Sequence, residues 1–86
     1  MKFFVYIIKS KVDGKNYIGF SSGVEKRLIW HNLGKNVSTR CRRPFELIFQ
    51  QEFGSKREAL EYEYWLKKQK GGAKVKELIQ DFNMPR

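Results

Sequence analysis

The stretch VYIIKSKVDGKNYIG (residues 5–19) decides the fold of this chain, because two apolar runs flank an Asp-Gly turn. Asp-Gly between two such runs is a strong signal for a β-hairpin. The first run, FFVYIIK (residues 3–9), is apolar on both of its alternating faces. A strand that is apolar on both faces is typically covered on both sides. The pattern therefore predicts a central strand, paired antiparallel with a second strand NYIGF (residues 16–20).

A helix and a third strand are predicted after the hairpin. Residues 24–32 (VEKRLIWHN) contain helix formers, and the serines before them can cap the first turn. Residues 45–53 (FELIFQQEF) favour a strand. Simple alternation along this strand would place Leu47 and Phe49 on the same face.

Two further helices complete the predicted order. Ser55 and Glu58 have the spacing of a capping box at the start of the segment REALEYEYWLKKQK. The last helix carries an apolar stripe at helical spacing, formed by Val75, Leu78, Ile79 and Phe82, before a frayed tail, NMPR. The sequence thus predicts one α+β domain over residues 1–86, with a three-stranded antiparallel sheet, helices on both faces and the order ββαβαα.

The net charge of +9 is unevenly distributed. Residues 1–45 contain ten basic and two acidic residues, whereas residues 46–86 contain eight and seven. An excess confined to one half of a small domain favours an anionic partner, and nucleic acid is the natural one. The alternative is a surface whose charge serves only solubility.

The cysteine and histidine counts exclude several classes of protein. One cysteine cannot form an internal disulfide, and one histidine with one cysteine cannot build a zinc knuckle. No apolar stretch approaches the roughly 20 residues that a membrane helix needs. We therefore expect a cytoplasmic protein that does not bind membranes.

Five residues are candidates for chemistry: Tyr6, Tyr17, Arg27, His31 and Glu63. Each alone has an ordinary structural role, such as packing for the tyrosines or a solvated helix face for the arginine. Arg27 and His31 lie one helical turn apart, however, and Glu63 lies beside an apolar stripe. Together they could converge over one face of the sheet. A carboxylate for a metal, an arginine and a base are the groups that phosphodiester hydrolysis requires.

Several motifs carry a family resemblance. They are FVYIIKS, YIG, EKRLIWHN, TRCRRPFELIF and SKREALEYEYWLK, and the last contains Ala59, Glu63 and Lys67 at intervals of four. In this order and spacing the chain resembles a GIY-YIG nuclease domain of the small bacterial kind, similar to the nuclease module of the DNA-repair excinuclease. The resemblance covers roughly residues 3–70.

The resemblance implies a role for each candidate residue. Tyr6 and Tyr17 correspond to the tyrosines of the GIY and YIG elements, and Arg27 corresponds to the catalytic arginine. Glu63 corresponds to the sole protein ligand of one Mg²⁺ or Mn²⁺ ion, which suits an ion that keeps its waters. Either Tyr17 or His31 would act as the general base. The sequence leaves that choice open.

A basic segment at residues 37–44 (VSTRCRRP), hereafter the basic loop, is expected to contact phosphates. The expected nucleic-acid contacts are Lys35, Arg40, Arg42, Arg43 and Lys67. Because no base-reading element is evident, little sequence preference is expected. Trp30 and Trp65 are interpreted as packing residues.

The resulting hypothesis is a metal-dependent endonuclease that cuts DNA, and possibly RNA, by structure rather than sequence, in repair or recombination. One alternative is a non-catalytic nucleic-acid-binding module with the same fold. Another is a protein–protein adaptor. The chain would act as a monomer or a weak dimer, since one active site cuts one strand at a time.

Overall fold

The computed structural model describes residues 2–83, and these form the predicted α+β fold in the order ββαβαα. A short 3₁₀ turn, Arg40–Arg42, lies in the basic loop. Residues 84–86 of the predicted tail lie outside the described residues. None of the helices in the described range is both long and apolar enough to cross a membrane. The elements are β1 (Phe3–Ser10), β2 (Asn16–Ser21), α1 (Val24–Asn32), β3 (Phe45–Phe53), α2 (Lys56–Lys68) and α3 (Ala73–Phe82).

The sheet has the strand order β2-β1-β3, with both pairs antiparallel. The prediction that β1 is central and covered on both sides is confirmed. Val5 and Ile7 pack in one apolar cluster, and Tyr6 and Ile8 pack in the other. The first cluster is closed by α2 and α3, and the second is closed by α1. The strand β2, which carries Tyr17, lies at one edge of the sheet and pairs with β1, which carries Tyr6.

The predicted facing of β3 is wrong, because the strand contains a β-bulge. Ile7 pairs with Phe49 while its neighbour Ile8 pairs with Leu47, so Ile48 is the extra residue. A bulge reverses the alternation of side chains on the two sides of the extra residue. Leu47 consequently packs with the α1 cluster, and Phe49 packs with the α2 and α3 cluster.

The start of α1 also differs from the prediction. Its N-cap residue is Gly23, and no side chain caps the helix there. The Ser21 hydroxyl instead accepts a hydrogen bond from the Gly23 N–H at 3.0 Å and donates one to the Gly23 carbonyl. The serine thus fixes the turn between β2 and α1 and does not satisfy the N–H groups of the first turn.

Two further helix boundaries are closed by local hydrogen bonds. Gly34 has a φ of 76°, and its N–H donates to the His31 carbonyl, while the Lys35 N–H donates to the Trp30 carbonyl. These two bonds form a Schellman motif that closes α1. The serine half of the predicted capping box is confirmed, because the Ser55 hydroxyl accepts from the Glu58 N–H at 3.2 Å, while the Glu58 carboxylate accepts from that hydroxyl at 3.0 Å.

Candidate active site

A chain of hydrogen bonds links β1, α1 and the basic loop beneath the surface. The Tyr6 hydroxyl lies 3.0 Å from Nε2 of His31, and Nδ1 of His31 lies 3.0 Å from the Thr39 hydroxyl. All three side chains are buried, and His31 has no exposed surface. A neutral imidazole has one donating and one accepting nitrogen, and hydroxyl groups can complement either tautomer. The histidine is therefore fully satisfied within the protein.

The glycine of the YIG element makes room for Tyr6. Gly19 lies directly opposite Tyr6 in the β1–β2 pairing. A Cβ atom on Gly19 would come within 2.9 Å of Cε1 of Tyr6, and closer still to its Cζ and hydroxyl oxygen. The Tyr6 ring thus lies across the backbone of β2 on its way to His31. Only a residue without a side chain allows this close approach.

The second tyrosine packs on the same histidine but is more accessible. The ring centroids of Tyr17 and His31 are 4.9 Å apart in an edge-on arrangement. Tyr17 is half-buried and lines a surface groove, whereas Tyr6 is buried. Both tyrosine rings therefore contact the imidazole of His31, but Tyr17 is more exposed than Tyr6.

Arg27 lies on the wall of a cleft between α1 and the sheet. The cleft has a volume of about 880 Å³ and is also lined by Phe4, Ser21, Trp30 and Gln50. The guanidinium of Arg27 is 4.7 Å from the centre of the Trp30 ring, a cation–π contact. Trp30 also packs edge-on against His31, with centroids 5.0 Å apart. Trp30 is thus a packing residue, and it holds the arginine at the cleft.

Glu63 comes from the opposite layer of the structure. Its helix, α2, packs on the side of the sheet away from α1 and contacts β1 and β2. The expectation that all five candidates lie over one sheet face is therefore wrong for Glu63, which approaches from the opposite layer but lies near enough for its charge to act on Tyr6. The carboxylate is partly buried and lies 3.6 Å from the Lys67 ammonium, one helical turn away.

Burial and neighbouring charges shift the protonation of this cluster. Burial is the main cause that raises the pKa of Tyr6 far above that of a free phenol; Tyr17 and Glu63 add to the rise and Arg27 opposes it. Glu63 thus acts on Tyr6 although it comes from the other layer. Burial also lowers the pKa of His31, and the positive charge of Arg27 lowers it further. At neutral pH Tyr6 is a protonated phenol and His31 is a neutral imidazole.

Glu63 is the residue that fits a divalent cation. Within residues 2–83 no three His, Cys, Asp or Glu side chains are grouped so that they could hold a metal ion. A metal at Glu63 would therefore have fewer than three such protein ligands and would take its other ligands from water and phosphate. This arrangement suits Mg²⁺, which keeps several waters and binds through one or two carboxylates and substrate phosphates.

The residues of the basic loop are engaged to different degrees. Arg42 donates to Asp13 at 2.9 Å, lies over the Phe45 ring and binds Ser10 through its carbonyl group. Arg40 and Arg43 are exposed, as is Lys35. The loop thus presents cations to solvent while Arg42 ties it to the β1–β2 turn.

Sequence reasoning missed two residues of this site. Thr39 holds the second nitrogen of His31, and Gly19 admits the Tyr6 ring. The glycine could have been found from its place opposite Tyr6 in the hairpin. Thr39 left no signal, because its contact with His31 depends on the path of the loop.

The comparisons with known proteins agree with the fold, a small α+β domain. The chain belongs to the GIY-YIG family, because the model of the GIY-YIG catalytic domain matches residues 2–76. It is 45% identical over 67 residues to a UPF0213 protein of Staphylococcus saprophyticus, covering 77% of this chain and 80% of that protein. It is 43% identical over 81 residues to a UPF0213 protein of Staphylococcus epidermidis, covering 93% and 96%.

A solved structure supports the fold independently. The solution NMR structure of the UPF0213 protein BH0048 from Bacillus halodurans matches with a TM-score of 0.54 and 36% sequence identity. The match covers 96% of this chain and 86% of the other. The family resemblance and the predicted fold are both confirmed.

Proposed function

We propose that this protein is a divalent-metal-dependent endonuclease that hydrolyses DNA phosphodiester bonds. The observation that carries the proposal is the Tyr6–His31 hydrogen bond, with Tyr17 packed on the same ring and Arg27 on the adjoining cleft. Membership in a family described as a catalytic domain supports it. We further propose that the substrate is structured DNA in repair or recombination, because the exposed cations carry no base-reading element.

Tyr17 is our choice as general base. His31 has no exposed surface, and both of its ring nitrogens already have hydroxyl partners. A base must come within hydrogen-bonding reach of the water that it deprotonates. Tyr6 is also buried, and its raised pKa keeps its proton in place. Tyr17 is the phenol of the cluster that a water molecule can approach.

His31 and Tyr6 position Tyr17 in this proposal. The imidazole is held at both nitrogens, so its ring presents a fixed surface to Tyr17. A side chain that is locked by packing and hydrogen bonds keeps its neighbour in one geometry. Tyr6 and His31 are therefore positioning residues, although they lie at the centre of the cluster.

Arg27 would bind the non-bridging oxygens of the scissile phosphate. Its guanidinium stacks on Trp30 and lines the cleft, so it is held in place before substrate arrives. A planar guanidinium can donate two parallel hydrogen bonds to a phosphate. Such prearranged donors stabilise the charge that develops in the transition state.

Glu63 would hold Mg²⁺ or Mn²⁺ on the leaving-group side of the phosphate. A bound divalent ion supplies stabilisation of negative charge on the phosphate and the leaving oxygen. The ion pair with Lys67 would have to loosen for Glu63 to take a cation. With one protein carboxylate, affinity for metal in the absence of DNA is expected to be weak.

The experiment incubates labelled branched, nicked and single-stranded DNA with Mg²⁺ or Mn²⁺. Wild type is compared with Glu63→Gln and with the control Glu61→Gln. Glu61 lies on the same helix but is exposed and paired with Arg57 at 3.0 Å. Cleavage by wild type and Glu61→Gln, but not by Glu63→Gln, is expected. Salt-sensitive binding without cleavage by wild type would favour the non-catalytic binding module, and neither binding nor cleavage would favour the adaptor.

A further inference from the structure

A second cavity opens on the other side of Tyr17 from the His31 cluster. It has a volume of about 500 Å³ and lies between the β1–β2 turn, β2 and the junction of α2 and α3. Its walls include Tyr17, Lys15, Lys67 and Lys70, with Gly71 and Val75 at the helix junction. We call it the lysine groove.

The charged side chains that line the lysine groove are all positive. Three lysines line it, and none of the described residues on its walls is acidic. Two carboxylates contact residues that line the groove, and both are already paired. Glu63 is paired with Lys67, and Asp13 accepts from Arg42 and from the Lys15 N–H. Lys15 and Lys70 are exposed and are thus available to an anion in the groove.

The groove and the Arg27 cleft lie toward opposite ends of one strand. Residues Asn16 to Ile18 of β2 line the groove, and Ser21, which ends β2, lines the cleft. From Tyr17 to Ser21 an extended strand covers about 13 Å. A nucleic-acid strand rises about 3.4 Å per nucleotide in a duplex, so this length corresponds to roughly four nucleotides.

We propose that the lysine groove binds the sugar-phosphate backbone of the DNA strand beside the scissile phosphate. The DNA would follow the β2 edge, with the scissile phosphate between Tyr17 and Arg27 and with Lys15 and Lys70 on phosphates to the groove side of the cut. The contact is to backbone, because the cations that line the groove are all lysines, flexible point charges without the planar fork of an arginine. This inference rests on the proposed nuclease function for the position of the cut.

The test measures DNA binding without metal, so that it does not depend on cleavage. The groove variant is Lys15→Gln/Lys70→Gln, which keeps most of each side-chain stem. The matched control is Lys56→Gln/Lys76→Gln, which removes the same charge from exposed residues that line neither cavity. Lys67 is left unchanged because its ion pair with Glu63 would confuse the result.

The expected result is a smaller salt dependence in the groove variant alone. Losing two phosphate contacts lowers the slope of log affinity against log salt by about 1.8 on duplex and about 1.4 on single-stranded DNA. The control should keep the wild-type slope. Replacing flanking phosphates with neutral methylphosphonates should weaken wild type but have little effect on the groove variant.

Two outcomes would overturn the proposal. Equal slopes for the groove variant and the control would mean that Lys15 and Lys70 act only through net charge. Absence of DNA binding by wild type would also sink it. If wild type binds through the groove but does not cleave, the groove stands and the proposed nuclease function fails.

Discussion

The hydroxyl of Tyr6 lies 3.0 Å from Nε2 of His31, although the two residues are 25 positions apart in the chain. This bond joins the central strand of the sheet to the helix α1 at a point where neither side chain reaches solvent. It also places His31 between the two hairpin tyrosines. The stability of the domain and the geometry of the proposed active site therefore depend on the same imidazole.

Tyr6→Phe and Tyr17→Phe should separate positioning from chemistry. Removing the Tyr6 hydroxyl leaves a buried nitrogen of His31 without a partner, which costs about 1–3 kcal/mol. Tyr17 is half-buried, so its hydroxyl should contribute less to stability. We expect urea unfolding to detect the loss of stability in Tyr6→Phe. Cleavage assays should show nearly complete loss of activity in Tyr17→Phe. Equal stability losses would contradict this division.

Folding stability should fall as the pH drops below about 6.5. The pKa of His31 is lowered in the folded protein by burial and by Arg27, so protonation favours the unfolded state. The contribution of neutral His31 to the free energy of unfolding is fully present above the pKa of the unfolded state. It is lost as the pH falls through the pKa of the folded state. Between the two pKa values the loss approaches about 1.4 kcal/mol per pH unit.

His31→Gln is the control for that titration. His31 is the single histidine of the chain, so urea midpoints between pH 7.5 and 5.5 report mainly on it. The variant should be less stable at pH 7.5 but should show a flatter pH dependence. The same slope in wild type and variant would assign the effect to other groups.

Gly19→Ala should be destabilising even though alanine is normally tolerated in strands. Its Cβ would meet the Tyr6 ring, so the ring or the strand must shift at a cost of about 1–3 kcal/mol. Gly54→Ala is the matched control, because a Cβ there meets nothing within 4 Å. Thermal unfolding should distinguish the two variants. Unchanged stability in Gly19→Ala would mean that Tyr6 has another way to reach His31.

Arg27→Ala should abolish cleavage while the protein stays folded. The lost stacking on Trp30 is worth about 0.5–1 kcal/mol, which lowers Tm by no more than about 8 °C in a domain of this size. Arg27→Lys should not restore activity, since an ammonium cannot donate in a planar fork. Lys26→Ala, which changes an exposed cation of the same cleft, should keep most activity. A larger drop in Tm would assign Arg27 a structural role.

The arginines of the basic loop should divide into two kinds. Replacing exposed Arg40 and Arg43 by glutamine should reduce the salt slope of DNA binding by about 1.8 on duplex DNA, with little change in stability. Arg42→Gln should lower Tm instead, because Arg42 is paired with Asp13. A sequence-selective loss of binding in the double variant would contradict a backbone role.

The sequence by itself determined the order of elements, the central position of β1 and the candidate residues of the site. Alternating apolar residues, an Asp-Gly turn and a capping box are local signals, and each is decided by contacts within a few residues. The five candidate residues from Tyr6 to Glu63 could be identified in the same way, because a sequence motif is defined by residue types and their order along the chain.

Tertiary structure alone decided three features. The bulge at Ile48 reversed the facing of β3, because register depends on the partner strand and not on alternation within one strand. The path of the basic loop brought Thr39 to His31 and left both imidazole nitrogens occupied. The packing of α2 against the far side of the sheet put Glu63 in a different layer from Arg27. Each is a contact between segments distant in sequence, and such contacts are set by how the layers pack.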